Sequence, residues 1–562
     1  MIQARFEPRW NAAPAGWWLA AILLIAAALR ASSLAFGLPS LNDQDELTFE
    51  LGAIKMLRGA TLDPGWFGHP ATTTMYGLAL VDILTFLVTR KLGWFGDVKA
   101  FEDAVFTDPT WLILPGRAMI LAFGLLNIAL TYRLGKRLFG PLAGLCAAAI
   151  LAIAPLHIAY SQMIRSDMMA CAFMLLAILQ AQQVAIGGGS LKGYVKAGLW
   201  TGVAIATKWP FALSILAACG VAVLRWRMGD GGLRQLAIRV LACGLAALAA
   251  LVFLSPYLLL DWPTVVNNLN GEARPFHLGA TGGSFAWNAW WYGGTLYGSF
   301  GPVGLALAAA GCWLLVRNRE ARFVLLPVLA AFAVLLCGQK LIWARWILPV
   351  LPFLAIAAGA ALVSTGEYLA SRGWGRAALP AAAGLAALTA IPLVLWSLAD
   401  GRERMNDTRQ QASRWLVAHA KPGKTVLVEH FGFDLLHAPY RFRWPVGDAG
   451  CIDPLALIRD KASYQSIEKM RGSRSNVDFG TVAADKLDSC RADYAILTQY
   501  DRYRAEKQRF PSEYANYQRL IDNGETLAVF RPERGVSGGW VVRVLRLTPA
   551  GGAAQSPAAP TW

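Results

Sequence analysis

Three acidic residues follow the first apolar segment of the chain. The stretch LNDQDELTFE, residues 41–50, contains Asp43, Asp45 and Glu46. It comes shortly after a run, AGWWLAAILLIAAALRASSLAF, that is long enough to cross a bilayer. A carboxylate at a membrane surface is either part of a solvated loop or a base that accepts a proton from a hydroxyl group. Asp43 fits the first interpretation, as a cap for a helix that begins near Gln44. Asp45 and Glu46 are the candidates for catalysis.

Other polar residues occur where later apolar segments end. Each has an ordinary structural interpretation, because lysine and arginine side chains often extend from a span to the membrane surface. Together they are predicted to share the outer side of the membrane, which favours a polar cavity at the outer leaflet. There, carboxylates accept protons and cationic side chains bind an anion such as phosphate. The residues in this set are Asp45, Glu46, His69, Arg165, Asp167, Lys208, Tyr257, Asp261, Glu272, Arg274, Gln339, Lys340 and Arg345.

The amino-acid composition is that of a membrane protein with many spans. Of 562 residues, 56% are hydrophobic and 16% are charged, so the chain is too apolar for a soluble protein with one core. The formal net charge of +16 raises the question of nucleic-acid binding. However, the basic residues form short clusters between apolar segments, as cytoplasmic loops do. We therefore expect membrane lipid, and no nucleic acid, as a partner.

The distribution of basic residues predicts the orientation of the chain. Arg5 and Arg9 precede the first apolar segment and acidic residues follow it. The N-terminus is therefore expected in the cytoplasm and residues 37–110 outside. Because no small-residue cleavage site follows it, the first segment is expected to stay as an anchor. Basic clusters that fit cytoplasmic turns are YRLGKR (132–137), SLKGYVK (190–196), RWRMGDGGLRQLAIR (225–239), RNREAR (317–322) and SRGWGR (371–376).

About eleven membrane spans are predicted, and an odd number places the C-terminus outside. The spans lie near residues 16–36, 112–132, 141–159, 168–186, 195–208, 210–225, 236–256, 301–316, 322–337, 346–364 and 377–398. The segment TMYGLALVDILTFLV (74–88) is nearly long enough to span as well. Because it contains Asp82 and is followed by Arg90 and Lys91, we interpret it as an amphipathic helix on the outer surface. If it spans, every later loop changes side.

A second domain is predicted after the spans. Residues 1–400 form the membrane domain, and residues 401–547 have the mixed charge and periodicity of a small α/β domain. TRQQASRWLVAHA is typical of an amphipathic helix, KTVLVEHF and ADYAILTQY of buried strands, and ETLAVFRPE and GWVVRVLRL of a closing pair of strands. The tail, residues 548–562, is rich in Pro, Gly and Ala and is expected to be disordered.

The cysteines divide between these two regions. Six of the eight lie within or beside apolar spans without metal-ligand spacing, which is typical of small core residues. Cys451 and Cys490 lie in the domain that is predicted to be outside, where an oxidising compartment permits a disulfide. The sequence does not decide whether they pair, because it does not give the distance between their Cα atoms.

The order of several motifs resembles a known family. An early DE pair at Asp45 and Glu46 is followed by an HP loop at His69, by GRAMILAFGLLNIALTYRLGKRLFG and YSQMIRSDMM, by GLWTGVAIATKWPF and by ARWILPVLPFL. This order, over residues 16–365, is similar to that of the family 39 glycosyltransferases, the protein O-mannosyltransferase-like and aminoarabinose transferase-like group. The resemblance implies the GT-C fold, with an extracytoplasmic α/β domain like that of several bacterial members.

The resemblance also implies a reaction. A sugar is transferred from a polyprenyl-phosphate donor to a hydroxyl of an unknown extracytoplasmic acceptor (protein, lipid or glycan), at a bacterial inner membrane. Asp45 is expected to be the general base of an inverting transfer, with Glu46 beside it and Asp167 as the next catalytic carboxylate. The leaving phosphate is a weak base that needs charge stabilisation more than a proton. The predicted substrate-binding residues are His69, Arg165, Lys208, Tyr257, Glu272, Gln339, Lys340 and Arg345.

Two alternatives remain open at this stage. The aminoarabinose transferases have a lysine before two prolines where this chain has His69, Pro70 and Ala71, so His69 is expected to bind phosphate or to position the substrate. Asp45, Glu46 and His69 are also a possible group for a divalent cation; no other cofactor is expected.

The alternative function is a transporter or flippase of lipid-linked sugar. Such proteins generally have two related halves and polar groups at the midplane, and neither is visible in this sequence.

Overall fold

The computed structural model describes residues 15–429, 432–435, 437–459, 464–472 and 476–547. The chain divides into two compact units. The membrane unit consists of residues 1–36 and 45–402, and the C-terminal unit consists of residues 37–44 and 403–562. The tail at 548–562, which was expected to be disordered, and the basic residues Arg5 and Arg9 lie outside the described residues.

The membrane unit is built of helices. In chain order they are α1 (Ala15–Ala31), α2 (Gln44–Gly59), α3 (Thr72–Lys91), α4 (Val98–Thr107), α5 (Thr110–Phe139), α6 (Pro141–Ile153), α7 (Pro155–Tyr160), α8 (Ser166–Ile186), α9 (Leu191–Thr207), α10 (Ile215–Arg227), α11 (Leu233–Leu254), α12 (Tyr257–Leu260), α13 (Trp262–Glu272), α14 (Phe285–Arg317), α15 (Arg319–Val324), α16 (Leu326–Gly338), α17 (Leu351–Ser371) and α18 (Gly375–Met405). Short 3₁₀ turns lie at Trp209–Ser214 and Ala344–Ile347. Several breaks occur at proline, which cannot donate the helical hydrogen bond, and α14 bends at Gly301, where φ is 66° and Pro302 follows.

Each predicted span corresponds to a helix. In the part of the chain that the structure describes, eight helices are long and apolar enough to cross a membrane, and three shorter apolar helices accompany them. The chain is therefore a membrane protein with several spans, as predicted. The predicted span at 195–208 lies in α9, which has 17 residues and contains two lysines. The span predicted at 301–316 is the second half of the longer α14.

The side of α3 stays a prediction. By length and composition α3 is among the eight helices that could cross a membrane, contrary to our interpretation of it as a surface helix. Its contacts favour the surface interpretation. Near its start Thr74 contacts Met169 in the first turn of α8, and just after its end Trp94 packs on Trp111 in the first turn of α5. Because α5 and α8 are both predicted to begin at the outer face, both ends of α3 are expected near that face as well.

Small residues allow the helices of the membrane unit to approach closely. On α9, a Cβ atom at Gly198 would lie 2.2 Å from the carbonyl oxygen of Cys243, and one at Gly202 would lie 2.2 Å from that of Ala247. The two glycines are four residues apart and therefore share the face of α9 that contacts α11. This small-residue spacing is a common packing device between membrane helices, where backbone contact replaces large side chains.

The C-terminal unit contains a mixed sheet covered by helices, which confirms the predicted α/β domain. Its strands are β1 (Thr425–Val428), β2 (Arg441–Pro445), β3 (Cys451–Ile452), β4 (Tyr494–Leu497), β5 (Gly524–Phe530) and β6 (Val542–Leu547). Its helices are α19 (Thr408–His419), α20 (Pro454–Arg459), α21 (Tyr464–Arg471), α22 (Tyr500–Ala505) and α23 (Pro511–Asp522). The strand order is β3-β2-β1-β4-β6-β5. β1 is parallel to β2 and β4, and β5 and β6 form the predicted antiparallel pair.

The cysteine pairing is settled within this unit. Cys451 and Cys490 form a disulfide, with their Cα atoms 4.9 Å apart. The other six cysteines are free, in agreement with their interpretation as small core residues of the spans.

Candidate active site

Asp45 lies in the first turn of α2 and faces two arginines. Its carboxylate pairs with the guanidinium of Arg165, and Nη1 of Arg345 lies 4.0 Å from Asp45 Oδ2. Both arginine side chains are 9% exposed, whereas the Asp45 side chain is 55% exposed. Asp45, Arg165 and Arg345 are therefore close together, as predicted. Because its side chain is exposed, the Asp45 carboxylate remains accessible to a substrate.

A second ion pair lies next to the first. Lys208 Nζ is 2.7 Å from Asp167 Oδ1, and both side chains are buried. Lys208 follows the end of α9, and the HP loop runs beside it: Pro70 bridges to Lys208, and Trp209 N donates to the His69 carbonyl oxygen at 2.7 Å. The loop and the end of α9 therefore position each other, and bring His69 to the ion pair.

The imidazole of His69 lies among both ion pairs. Its ring packs on Trp66 at 4.9 Å and on Phe49 at 6.1 Å, and its buried Nδ1 has no hydrogen-bond partner in the structure. Burial, and then the charges of Lys208 and Arg345, lower the pKa of His69 well below its usual value. His69 is therefore neutral at physiological pH, and one of its ring nitrogens can accept a hydrogen bond.

The charges around Asp45 determine its protonation. Although the Asp45 side chain is about half exposed, the groups packed around its carboxyl displace water and act to raise its pKa. The nearby guanidinium groups of Arg165 and Arg345 outweigh this effect and hold the pKa of Asp45 well below its usual range. Asp45 is consequently ionised at any physiological pH. An ionised carboxylate is the form that a general base requires, although pairing with arginine weakens its basicity.

Glu46 has a different environment from Asp45. Its side chain is fully buried, and Arg117 donates to both carboxylate oxygens, from Nε at 2.8 Å and from Nη2 at 2.7 Å. The backbone amide of Ile164 donates to Glu46 Oε1 at 2.9 Å. This position corrects the expectation that Glu46 acts beside Asp45 on the substrate. Glu46 instead holds the backbone next to Arg165.

Arg117 was missed by the sequence analysis, although it is central to this arrangement. Besides Glu46, it donates to the carbonyl oxygens of Leu34 at 2.7 Å and Phe36 at 2.8 Å. Its guanidinium also lies 4.0 Å from the ring centre of Phe36. The available signal was a single arginine inside the predicted span 112–132, since charges within apolar spans are costly and usually have a partner or a function.

The segment between α7 and α8, which contains Arg165, is fixed by polar contacts with the end of α1. Arg30 contacts His157 Nδ1 at 2.8 Å and donates to Ser161 Oγ at 3.2 Å. Gln162 donates to the Arg30 carbonyl oxygen at 2.6 Å and to Ser33 Oγ at 2.9 Å. These groups are buried, so the direction of the chain just before Arg165 is determined by several hydrogen bonds.

Arg345 is held by aromatic packing. Its guanidinium lies 4.6 Å from the ring centre of Trp343, and the His277 ring packs on Trp343 at 4.9 Å. The two chain segments also pair: Thr281 bridges to Leu341, and Ile342 N donates to the Ala280 carbonyl oxygen at 2.9 Å. Arg345 Nε is buried without a partner in the structure.

Four predicted substrate-binding residues are not members of the two ion pairs. Tyr257 contacts Thr61 Oγ1 at 3.0 Å, and Glu272 lies beside Gly68, the residue before His69. The side chains of Gln339 and Lys340 are exposed. Their carbonyl oxygens accept hydrogen bonds from Asn288 Nδ2 at 2.9 Å and from Gly282 N at 2.7 Å. Among the contacts of the described residues, none joins Tyr257, Gln339 or Lys340 to the two ion pairs.

The predicted cation group is not assembled. Asp45 and His69 lie in the same cluster, but both oxygens of Glu46 are occupied by Arg117. Within the described ranges, no three His, Cys, Asp or Glu side chains come close enough to hold a metal ion.

Comparison with known proteins identifies the fold. The sequence model of the family described as dolichyl-phosphate-mannose-protein mannosyltransferase matches residues 104–260. The crystal structure of ArnT from Cupriavidus metallidurans in the apo state is 16% identical, with a TM-score of 0.51 over 94% of this chain and 98% of that chain. ArnT bound to undecaprenyl phosphate is also 16% identical, with a TM-score of 0.50 over 97% and 100%. The chain has the GT-C fold.

Over residues 104–260, the family match confirms the predicted resemblance to the family 39 glycosyltransferases. The archaeal oligosaccharyltransferase AglB from Archaeoglobus fulgidus is also similar, at 12% identity and a TM-score of 0.48 over 90% of this chain and 72% of that chain. No curated protein matches the chain significantly. Within the GT-C fold, the segment matched by the family, residues 104–260, contains Arg117, Arg165, Asp167 and Lys208, so the match includes most of the cationic groups described above.

Proposed function

We propose that the protein is a glycosyltransferase that transfers a sugar from a polyprenyl-phosphate donor to an acceptor hydroxyl on the extracytoplasmic side of a bacterial inner membrane. The observation that carries this proposal is the exposed carboxylate of Asp45, paired with Arg165 and near Arg345. The GT-C fold adds support, because ArnT with the same fold has been crystallised with undecaprenyl phosphate.

The chemistry follows from these groups. Asp45 accepts the proton of the acceptor hydroxyl while the hydroxyl oxygen forms a bond to the anomeric carbon of the sugar. The bond between that carbon and the phosphate oxygen breaks, and both electrons leave with the polyprenyl phosphate. Its additional negative charge is stabilised by Arg165, Arg345 and Lys208, of which the last is held by Asp167. Attack from the face opposite the phosphate inverts the anomeric centre.

The ion pair of Asp45 and Arg165 gives the donor a role in activating the base. In the free protein the arginine stabilises the ionised carboxylate and makes it a weak base. A bound phosphate shares the Arg165 guanidinium, since arginine binds phosphate as readily as carboxylate. The pKa of Asp45 then rises toward its usual value, and the carboxylate accepts the proton more readily. Donor binding before acceptor binding is the order that this arrangement favours.

The orientation rests on two independent features. The basic clusters alternate with the spans as cytoplasmic turns do. The C-terminal unit contains the disulfide between Cys451 and Cys490, and such bonds persist in oxidising compartments such as the bacterial periplasm.

Binding of undecaprenyl phosphate to the purified protein tests the phosphate site. We expect Arg165→Ala and Arg345→Ala each to weaken binding by about tenfold to a hundredfold, because each removes a charge-assisted contact. Arg165→Lys should recover part of the loss, since it keeps the charge but loses the bidentate geometry. The matched control is Arg225→Ala, which removes an arginine–aspartate pair with Asp230 in the loop at 225–239. Unchanged affinity in both site variants overturns the assignment.

Labelling of introduced cysteines tests the orientation. Ser512→Cys places a thiol on an exposed position of α23, and Arg234→Cys places one on an exposed position in the first turn of α11, within the basic cluster at 225–239. With a membrane-impermeant maleimide, we expect Ser512→Cys to react once the outer envelope is permeabilised and Arg234→Cys to react only after lysis. The reverse pattern contradicts the predicted topology.

A further inference from the structure

The residues immediately before Asp45 belong to the C-terminal unit. Residues 37–44, here called the strap, connect α1 to α2 and group with residues 403–562. The strap ends at Gln44, the first residue of α2, and the next residue is Asp45. The conformation of the strap therefore determines where the first turn of α2 begins, because the two are continuous along the backbone.

The strap is held by the start of α19. Asn42 and Gln410 exchange two amide hydrogen bonds: Asn42 Nδ2 donates to Gln410 Oε1 at 3.0 Å, and Gln410 Nε2 donates to Asn42 Oδ1 at 2.8 Å. Arg409 Nη1 donates to the Asn42 carbonyl oxygen at 2.9 Å. Arg409 is fixed in turn by Asp407, which accepts from its Nε at 2.9 Å and its Nη2 at 2.7 Å. A residue of the strap thus has both its side chain and its carbonyl group bound by α19.

The backbone of the strap adopts a specific conformation. Gly37 has a φ of 63°, and a Cβ atom at this position would lie 2.3 Å from Asn42 Cγ, so only glycine allows Asn42 to pack there. Leu41 is buried and has a φ of 57°, in the left-handed region that residues other than glycine rarely adopt. Such a conformation persists only where the surrounding contacts hold it.

One residue of the membrane unit binds the two chain segments that flank the strap. Arg117 binds the carbonyl oxygen of Phe36, just before the strap, and the carboxylate of Glu46, just after it. Arg117 thus holds the residues on either side of the strap, and Asn42 within the strap is bound by Gln410 and Arg409. Asp45 lies between Asn42 and Glu46, two positions that are both fixed.

We propose that Gln410 and Arg409 are positioning residues for Asp45, which act by holding the strap that leads into the first turn of α2. This inference rests on the proposed function, in which Asp45 is the general base. Catalysis depends strongly on such alignment, and a shift of about 1 Å in a reacting group costs on the order of a hundredfold in rate.

The test compares Gln410→Ala with Gln411→Ala in the full-length protein. Gln411, the next residue of α19, donates one side-chain hydrogen bond to Asn406 Oδ1 at 3.3 Å, so its replacement is a matched control. We expect Gln410→Ala to lower the turnover of an undecaprenyl-phosphate-linked sugar by about tenfold or more while the KM for this donor changes less than about twofold, because alignment is lost and phosphate contacts are kept. The double variant Asn42→Gln/Gln410→Asn, which can rebuild the amide pair, should recover part of the turnover.

A second measurement does not depend on activity. Hydrogen exchange of the backbone amides at residues 44–48 should be faster in Gln410→Ala than in the wild type and unchanged in Gln411→Ala. If the wild type transfers no sugar, the proposed function fails, and the exchange rates still test the strap. Equal exchange and equal turnover in Gln410→Ala and wild type overturn the inference, as does an equal loss in Gln411→Ala. Asn42→Ala breaks the same pair from the other side and replaces Gln410→Ala if that variant does not accumulate.

Discussion

Four buried carboxylates, two from each unit, differ in their partners. In the membrane unit, Glu46 is paired with Arg117 and Asp167 with Lys208. In the C-terminal unit, Glu429 accepts hydrogen bonds from Tyr517, from Thr498 and from the backbone amide of Gln499 at 3.1 Å.

Asp478 in the C-terminal unit follows the same pattern. It accepts from Tyr503 at 2.9 Å and from the amide of Thr481 at 3.1 Å. The carboxylates of the first group are balanced by a full positive charge, whereas those of the second are bound by neutral donors.

This difference determines the protonation of each group. A guanidinium or ammonium group offsets the cost of burying an ionised carboxylate, which therefore stays charged. Neutral donors offset less of that cost. Burial raises the pKa of Glu429, and burial together with the charge of Glu429 raises the pKa of Asp478 to about 7. Glu46 and Asp167 thus keep their negative charges next to cations, whereas Glu429 and Asp478 hold their protons more readily. Each unit also contains the other arrangement: among the described residues, buried Glu50 on α2 has no cation partner, and buried Asp407 in the C-terminal unit pairs with Arg409.

Removal of Arg117 should produce the largest effect. Arg117→Ala leaves the buried carboxylate of Glu46 without its cation, and breaking such a pair costs about 3–5 kcal/mol. We expect a large fall in the thermal stability of the detergent-purified protein. Adding Glu46→Gln should recover part of it, because the unpaired charge is removed. Equal stability of Arg117→Ala and wild type would contradict the view that this pair supports the fold.

Asp45→Asn should produce the next largest effect, on turnover and not on stability. Asparagine keeps the size of the side chain but does not accept the proton, so we expect turnover at saturating donor to fall by about a hundredfold or more. Binding of undecaprenyl phosphate should be retained, since Arg165 is no longer shared with a carboxylate. Asp43→Asn is the control and should be close to wild type. Near-normal turnover of Asp45→Asn would leave Asp167 as the next candidate base.

The sequence predicted the helices and most of the ion-pair cluster for physical reasons. Hydropathy over about 20 residues determines which segments can span a bilayer, so all the predicted spans correspond to helices. Charged groups near a membrane are costly, which is why Asp45, Arg165, Lys208 and Arg345 stood out. Their predicted placement on one side of the membrane was the basis for expecting them near one another.

The choice of partners could not be predicted. Neighbouring residues of a helix point about 100° apart, so Asp45 and Glu46 face different surroundings, and only packing decides which one meets Arg117. The strap was assigned to the membrane domain because of its place in the chain, but its amide partner Gln410 is 368 positions away from Asn42. Strand β2 was missed because RFRWP is short, ends in proline and has arginines at both of its exposed positions.

Asp478→Asn should produce the smallest effect, limited to the pH dependence of stability. The folded protein keeps the proton of Asp478 up to a pH of about 7, whereas an unfolded chain releases it near pH 4, at about the usual aspartate pKa. The stability that this group contributes is therefore complete below about pH 4 and is lost as the pH rises to about 7. Asparagine has no proton to release, so the C-terminal unit of Asp478→Asn should lose less stability than that of the wild type between pH 4.5 and pH 7.5.

Denaturant-dependent hydrogen exchange of β4 in the full-length protein measures this difference without requiring the unit to fold alone. Asp488→Asn, at a position 85% exposed, is the control and should follow the wild type. If Asp478→Asn and the wild type respond to pH in parallel, Asp478 is ionised in the folded protein and its contrast with Glu46 and Asp167 does not hold.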